Sequence, residues 1–354
     1  MRLSALGDVL HCLPALAEMR ARWPEARIDW VCETLGARIL DGHPDLYAVH
    51  HFPRKELRAQ FRHPTRWLSM FGQWRRFVTS LRRVRYDLVV DLQGNLRSQL
   101  IARLARGRYR AGFHPSEVKE YAWLFRFRRP ARAAGRVHRV EKSLALVDWL
   151  AGTPHSATPS PRLPDLSAEL KRLTSELGPL DSARPLILLH PFVSNFGRFK
   201  EWPAEDFAAL AARLKQANSR VLVSWATSER AAAEQICQRS HGAAELAPAT
   251  PTLRDMAALI SLASVVVGAD TGPVHLAAAL DVPLIALYGP KDPTIYGPVS
   301  RRARVLRSDA PCSPCLLRKC EHAICMQTIE VDDVARAVED QLQLGAEPRR
   351  DRGV

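Results

Sequence analysis

Three short segments each set a loop before a helix start, two of them after a strand-like run, and each carries a side chain able to do chemistry. The clearest is residues 265–280, V-V-V-G-A-D-T-G-P-V-H-L-A-A-A-L. An apolar run ends at Gly268, and Pro273 takes the position proline favours at a helix start. Thr271 and Gly272 then sit where free backbone N–H groups and the positive helix end converge, which is a geometry that binds phosphate. Gly272 has no Cβ to hold a ligand away. Asp270 is a poor phosphate neighbour by charge and reads as an acceptor for sugar hydroxyls. An ordinary capped helix explains the same pattern equally well.

Residues 4–11, S-A-L-G-D-V-L-H, form a second such loop. Asp8 near a helix start could be a general base, although as an isolated signal a capping role is the simpler one. Residues 190–203 form a third, H-P-F-V-S-N-F-G-R-F-K-E-W-P, where Lys200 and Arg198 offer cations to a diphosphate. Arg198 reads as surface charge. Glu229, after a strand ending near Trp225, could hold paired ribose hydroxyls, or could simply be a carboxylate in a first helical turn. The dinucleotide fingerprint G-x-G-x-x-G is absent, which argues against a dehydrogenase. Cys312, Cys315, Cys320 and Cys325 make C-x2-C-x4-C-x4-C with His322 among them. That spacing is neither the paired zinc knuckle nor a ferredoxin run, so reduced structural thiols are expected and no metal is assigned.

Positioning these loops takes alternating strands and helices, hence α/β layers with parallel sheets. Strands are expected at 28–31, 88–91, 185–190, 220–225, 264–268 and 283–288. Helices are expected at 9–22, 68–83, 204–217, 228–238, 252–262, 273–280 and 330–343. A Pro/Ser/Thr-rich stretch at 152–165 reads as a linker, with a second α/β domain starting near Arg184. The expected division is 1–160, 161–335, and a helix end with a loose tail over 336–354. A parallel domain normally opens with a buried strand, yet Arg2–Asp8 already reads as the first loop. The opening strand is therefore expected to be cut short, and an apolar run of about five or six residues to precede Met1 in the natural polypeptide.

The 354 residues carry 51 Lys+Arg against 37 Asp+Glu, a net charge of +14, with 47% hydrophobic and 25% charged residues. That is globular usage with enough chain for two cores, and it excludes disordered and fibrous classes. No run approaches the roughly 18 apolar residues of a membrane span. No export signal is read at the start, so seven cysteines are expected as reduced thiols. The basic excess is uneven. Residues 51–85 hold ten Arg or Lys and one acid, Glu56, and a second cluster runs from Arg126 to Arg139. Such a surface attracts nucleic acid, an anionic membrane or a phosphorylated substrate, or is a solvated Arg-rich face.

Together the segments resemble glycosyltransferase family 9, the ADP-heptose:lipopolysaccharide heptosyltransferases. The resemblance rests on R-L-S-A-L-G-D-V-L-H-C-L-P-A-L at 2–16 and Y-D-L-V-V-D-L-Q-G-N-L-R-S at 86–98. It rests also on K-E-W-P-A-E-D-F at 200–207 and on G-A-D-T-G-P-V-H-L-A-A-A-L-D-V-P-L-I-A-L-Y-G-P at 268–290. It implies a GT-B fold, two Rossmann-like domains facing across a cleft, acceptor on the first and donor on the second. It implies inverting transfer, without metal or other cofactor, from ADP-heptose to the Kdo or heptose inner core of lipopolysaccharide. Asp8 would then be the base. Lys200, Glu229, Asp270, Thr271, Gly272 and His275 would bind the donor, and Lys119, His138 and Arg139 the acceptor. The implied place is the cytoplasm, peripheral on the anionic inner-membrane face, with no nucleic-acid partner.

R-V-H-R-V-E-K at 136–142 and D-W-V-C-E at 29–33 resemble first-heptose enzymes, whereas the cysteine cluster resembles other members. A second or later heptose, or another sugar, therefore stays open. A catalytically silent sugar-nucleotide-binding protein is the alternative of a different class; the Asp8, Lys200 and Asp270 set argues against it. The S-A-L-G-D loop argues against an epimerase.

Overall fold

The computed structural model describes residues 1–345 except 55, 58–66, 122–123, 125–126, 129–136, 182, 316 and 318–319. Lys55, Arg58, Arg62, Arg66, most of the second basic cluster and the tail lie outside the described residues. The chain forms two compact units that part between Asp165 and Leu166. The linker stretch 152–165 holds no helix or strand. The second unit opens earlier than Arg184, with the helix Ser167–Leu177.

In the first unit, β1 (Asp29–Glu33) pairs in parallel with β2 (Ala48–Phe52), and β3 (Arg85–Asp91) with β4 (Arg106–Gly112). Residues 1–3 lie between the two pairs. The Met1 ammonium donates to the Val90 carbonyl at 2.7 Å, and the Leu92 N–H to the Met1 carbonyl at 2.9 Å. On the other side the Glu33 N–H donates to the Leu3 carbonyl at 2.8 Å. Three residues thus follow the path of a strand that joins β1 to β3, so backbone groups on both edges find partners. Leu3 seats in a core of Phe52, Phe77, Leu81 and Ile101.

The expected helix at 9–22 is two, α1 (Leu6–Leu10) and α2 (Leu13–Arg22). Pro14 has no N–H to donate back to Leu10, so the helix restarts with proline in its first turn. Further α-helices of this unit, among the described residues, are α3 (Thr34–Leu40), α4 (Trp67–Arg82), α5 (Leu96–Leu104) and α6 (Arg139–Ala151).

The second unit is one six-stranded parallel sheet in the order β10-β9-β8-β5-β6-β7. Its strands are β5 (Leu186–His190), β6 (Arg220–Val223), β7 (Ala244–Leu246), β8 (Val265–Ala269), β9 (Leu284–Tyr288) and β10 (Ala303–Arg307). Read from the start of the unit this is the doubly wound order, 6-5-4-1-2-3. Every residue of β5, β8 and β9 is buried, as strands covered on both faces must be. Ile187, Leu189, Val265, Val267, Ile285 and Leu287 pack with Phe207, Leu210, Leu214, Val334 and Val338 in one core. Each such aliphatic contributes about 1.5–3 kcal/mol by leaving water. Phe207 to Leu214 lie on the helix Ala204–Gln216, Val334 and Val338 on the helix Val331–Gly345.

Candidate active site

Open parallel sheets bind ligands beyond their strand C-termini, where the strand order reverses. Here that point lies between β5 and β8, which pair with His190 opposite Gly268. A Cβ on Gly268 would stand 3.0 Å from the His190 carbonyl oxygen, so glycine allows the two strand ends their close approach. Lys200 follows β5 and Asp270 follows β8. Their side chains meet: Lys200 Nζ stands 2.6 Å from Asp270 Oδ2 and 3.2 Å from the Asp270 carbonyl. Trp202 fixes the Lys200 segment, with its indole buried edge-on against Phe207 and its Nε1 donating to the Ile329 carbonyl at 2.9 Å.

Asp270 gathers more partners. His275 Nε2 donates to Oδ1 at 3.1 Å, and the Tyr288 hydroxyl lies 3.3 Å from the same oxygen. Burial pushes this carboxyl up, but the His275 hydrogen bond and the Lys200 and His275 charges outweigh it. Asp270 is held ionised, well below the ordinary aspartate range. The helix Gly272–Ala279 begins directly behind it, with Thr271 as N-cap. Thr271 does not cap with its side chain, and its buried Oγ1 has no hydrogen-bond partner. A buried hydroxyl without a partner costs free energy, so a ligand oxygen at this helix end would gain from both. Glu229 follows β6, and its Oε2 accepts the Ala226 N–H at 2.8 Å. That is a capping contact.

The first unit holds the second group of residues. Asp8 is the third residue of α1, not its cap, and its Oδ2 accepts the Ala5 N–H at 3.3 Å. Two guanidinium groups grip it: Arg2 Nη2 at 2.6 Å from Oδ2 and Arg139 Nη1 at 2.6 Å from Oδ1. Burial pushes the carboxyl up, while the Arg2 and Arg139 charges pull it down further, and Asp8 stays below the ordinary aspartate range. His138 caps α6, with Nδ1 accepting the Val140 N–H at 3.2 Å, and its ring meets His11 edge-on at 5.6 Å. Lys119 is tied to the loop after β3 through its N–H to the Gly94 carbonyl, 2.8 Å. The Lys142 ammonium is pushed below its ordinary value by burial and by the charges of Arg139, Lys119 and Arg2. The Glu117 carboxylate opposes that shift, with its Oε2 3.8 Å from Lys142 Nζ.

Arg2, Lys142 and Tyr288 are the site residues that sequence reasoning missed. Each lies within a segment that carries the resemblance, 2–16, 136–142 and 268–290, but was given no role of its own there. All seven cysteines are free. Among the described residues no group of three or more His, Cys, Asp or Glu side chains is placed to hold a metal ion. Cys325 is buried against Gly289, just after β9.

The profile of glycosyltransferase family 9 (heptosyltransferase) matches residues 74–324. Lipopolysaccharide heptosyltransferase 1 of Pseudomonas aeruginosa is 32% identical over 91% of this chain and 86% of its own. Lipopolysaccharide heptosyltransferase 2 of Salmonella typhimurium is 30% identical over 86% of each. Among solved structures, the Escherichia coli heptosyltransferase WaaC with ADP superposes with a TM-score of 0.76 at 26% identity, over 96% of this chain and all of that one. The same enzyme with ADP-2-deoxy-2-fluoro heptose gives 0.74. The doubly wound parallel sheet belongs to the GT-B fold of these enzymes. The chain is a member of glycosyltransferase family 9, the heptosyltransferases.

Proposed function

We propose that this protein transfers heptose from ADP-heptose to the inner core of lipopolysaccharide by a single inverting displacement. The observation that carries the reading is the group at the β5–β8 switch point: Lys200, Asp270 and the Thr271 helix end. A lysine and a helix N-terminus suit a diphosphate, and an ionised aspartate suits sugar hydroxyls. The donor named in the WaaC complex has both parts.

Asp8 accepts the proton of the acceptor hydroxyl. The hydroxyl oxygen attacks the anomeric carbon, and the bond from that carbon to the β-phosphate oxygen breaks. ADP departs with the electron pair, its charge taken up by Lys200 and the N–H groups at Thr271 and Gly272. Those fixed charges can serve where another enzyme uses a divalent ion, which supports a metal-independent step. Arg2, Lys119, Arg139 and Lys142 give the acceptor side a positive field that suits the acidic Kdo and phosphate groups of a lipid-linked acceptor. An acceptor of that kind supports a peripheral place on the cytoplasmic face of the inner membrane. No described helix is long and apolar enough to cross a membrane.

The test is mass spectrometry of acceptors incubated with protein and ADP-heptose. A Kdo-terminated lipid A should gain one heptose residue, as the likeness to heptosyltransferase 1 favours. Gain only on an acceptor already carrying heptose would move the protein to the second position, the role in the name of the Salmonella relative. No gain on either would remove the reading.

A further inference from the structure

We infer that the solvent face of α4, together with the arginines at the start of β3 and β4, is the surface by which this protein docks on an anionic lipid bilayer. The inference deepens the reading of a lipid-linked acceptor and rests on it.

The helix Trp67–Arg82 has two unlike faces. Phe77 and Leu81 are buried, and Trp74 and Val78 pack partly buried beside them against Leu3 and Phe52. The opposite stripe runs Leu68, Phe71, Arg75, Thr79, Arg82, a spacing of three or four that keeps one side of a helix. Leu68 is 89% exposed and Phe71 64%. Exposed apolar side chains in a contiguous set mark an interaction surface, whereas single ones mean nothing. One turn further on stand Arg75 and Arg76, both exposed, and then Arg82 and Arg83. No acid occurs anywhere on the helix.

The positive surface continues past the helix end. Arg82 also lines a surface cavity of about 690 Å³ with Arg85, Arg103, Arg106 and Arg108, where Asp87 is the single acid. Arg85 and Arg106 are register partners on adjacent strands. Like charges opposite each other destabilise a sheet, so an external anionic surface would relieve a repulsion the fold carries.

Charge alone would admit a nucleic acid. Leu68 and Phe71 decide against it, since a phosphate backbone offers nothing to an exposed leucine. A bilayer interface accepts both kinds of group, the apolar ones below the headgroups and the arginines among them. A second copy of this chain would bring like charge against like. Each basic side chain near an anionic leaflet adds its own attraction, and Leu68 and Phe71 add apolar burial.

The test is flotation of the full-length protein with vesicles of phosphatidylcholine alone and with one third phosphatidylglycerol. Two double variants accompany the wild type: Leu68→Ser with Phe71→Ser, and Arg75→Glu with Arg76→Glu. Wild type should float with the anionic vesicles and stay in solution with the neutral ones. Each double variant should partition about tenfold or more weakly, while turning over a delipidated, water-soluble acceptor at the wild-type rate. Variants that float like wild type would overturn the assignment of this face and leave membrane docking standing. A wild type that ignores anionic vesicles would overturn both, and binding of duplex DNA in place of vesicles would give the face to nucleic acid. Unchanged turnover in each case keeps heptose transfer a separate question.

Discussion

Arg2 Nη2 stands 2.6 Å from Asp8 Oδ2, and the same guanidinium donates through Nη1 to the Leu92 carbonyl at 3.0 Å. The first loop of the chain is thereby bolted to the end of β3, and the proposed base is held both ionised and in place. Arg2→Met should move the acid limb of the kcat/KM profile to higher pH, because a cation that favours the carboxylate is gone. Turnover at neutral pH should fall by about 100-fold if the carboxylate drifts by about 1 Å. Arg2→Lys should restore the limb more than the rate. A profile identical to wild type would show that Arg2 is structural only.

Asp8→Ala should lower kcat by about 10²–10⁴-fold, the usual contribution of a general base. ADP affinity by calorimetry should stay within twofold of wild type, roughly the scatter expected of a residue that does not touch the donor. Turnover near that of wild type would exclude Asp8 as the base.

Lys200→Ala should weaken ADP binding by about 1.5–3 kcal/mol, the range for a hydrogen bond to a charged group. Asp270→Asn should act differently, because it removes the anion that competes with phosphate for Lys200. ADP affinity should hold or rise, while affinity for ADP-heptose falls relative to ADP. Equal losses for both ligands would show that Asp270 does not read the sugar.

His190 is buried at the end of β5, and burial pushes its imidazole from its ordinary 6.5 down to about 4. A lowered folded-state value means the unfolded chain takes up the proton first. The stability this histidine confers is therefore full above about pH 6.5 and is lost as pH falls toward 4. The loss reaches about 3 kcal/mol. Denaturant unfolding from pH 7 to 4 should show that decline in wild type and a flatter curve in His190→Gln. Parallel curves would place the acid sensitivity elsewhere.

Much of the second unit is legible in the sequence because β5, β8 and β9 are unbroken apolar runs between turn residues. β4 is not, since R-G-R-Y-R-A-G holds three arginines and two glycines and reads as a loop. Only its pairing with β3 makes it a strand. β2 has two adjacent histidines, and β10 lies on the sheet edge with two arginines, Arg304 and Arg307, in five residues. The helices at 34–40 and 167–177 lie outside the segments that carry the resemblance, and those at 96–104 and 139–151 only overlap the ends of two of them. At the site, the residue types were visible and their pairings were not. Lys200 and Asp270 are 70 positions apart and meet only because β5 and β8 are neighbours. The grip of Arg2 and Arg139 on Asp8 likewise depends on where α6 lies against the first loop.

The proposed transfer is one displacement, with Asp8 taking the proton and ADP leaving against Lys200 and the Thr271 helix end. Its most direct test is the anomeric configuration of the transferred heptose, read by NMR on product made from ADP-heptose of known configuration. A single displacement gives a configuration opposite to that of the donor. Retention would require a second displacement through a covalent or ion-pair intermediate, and would contradict it.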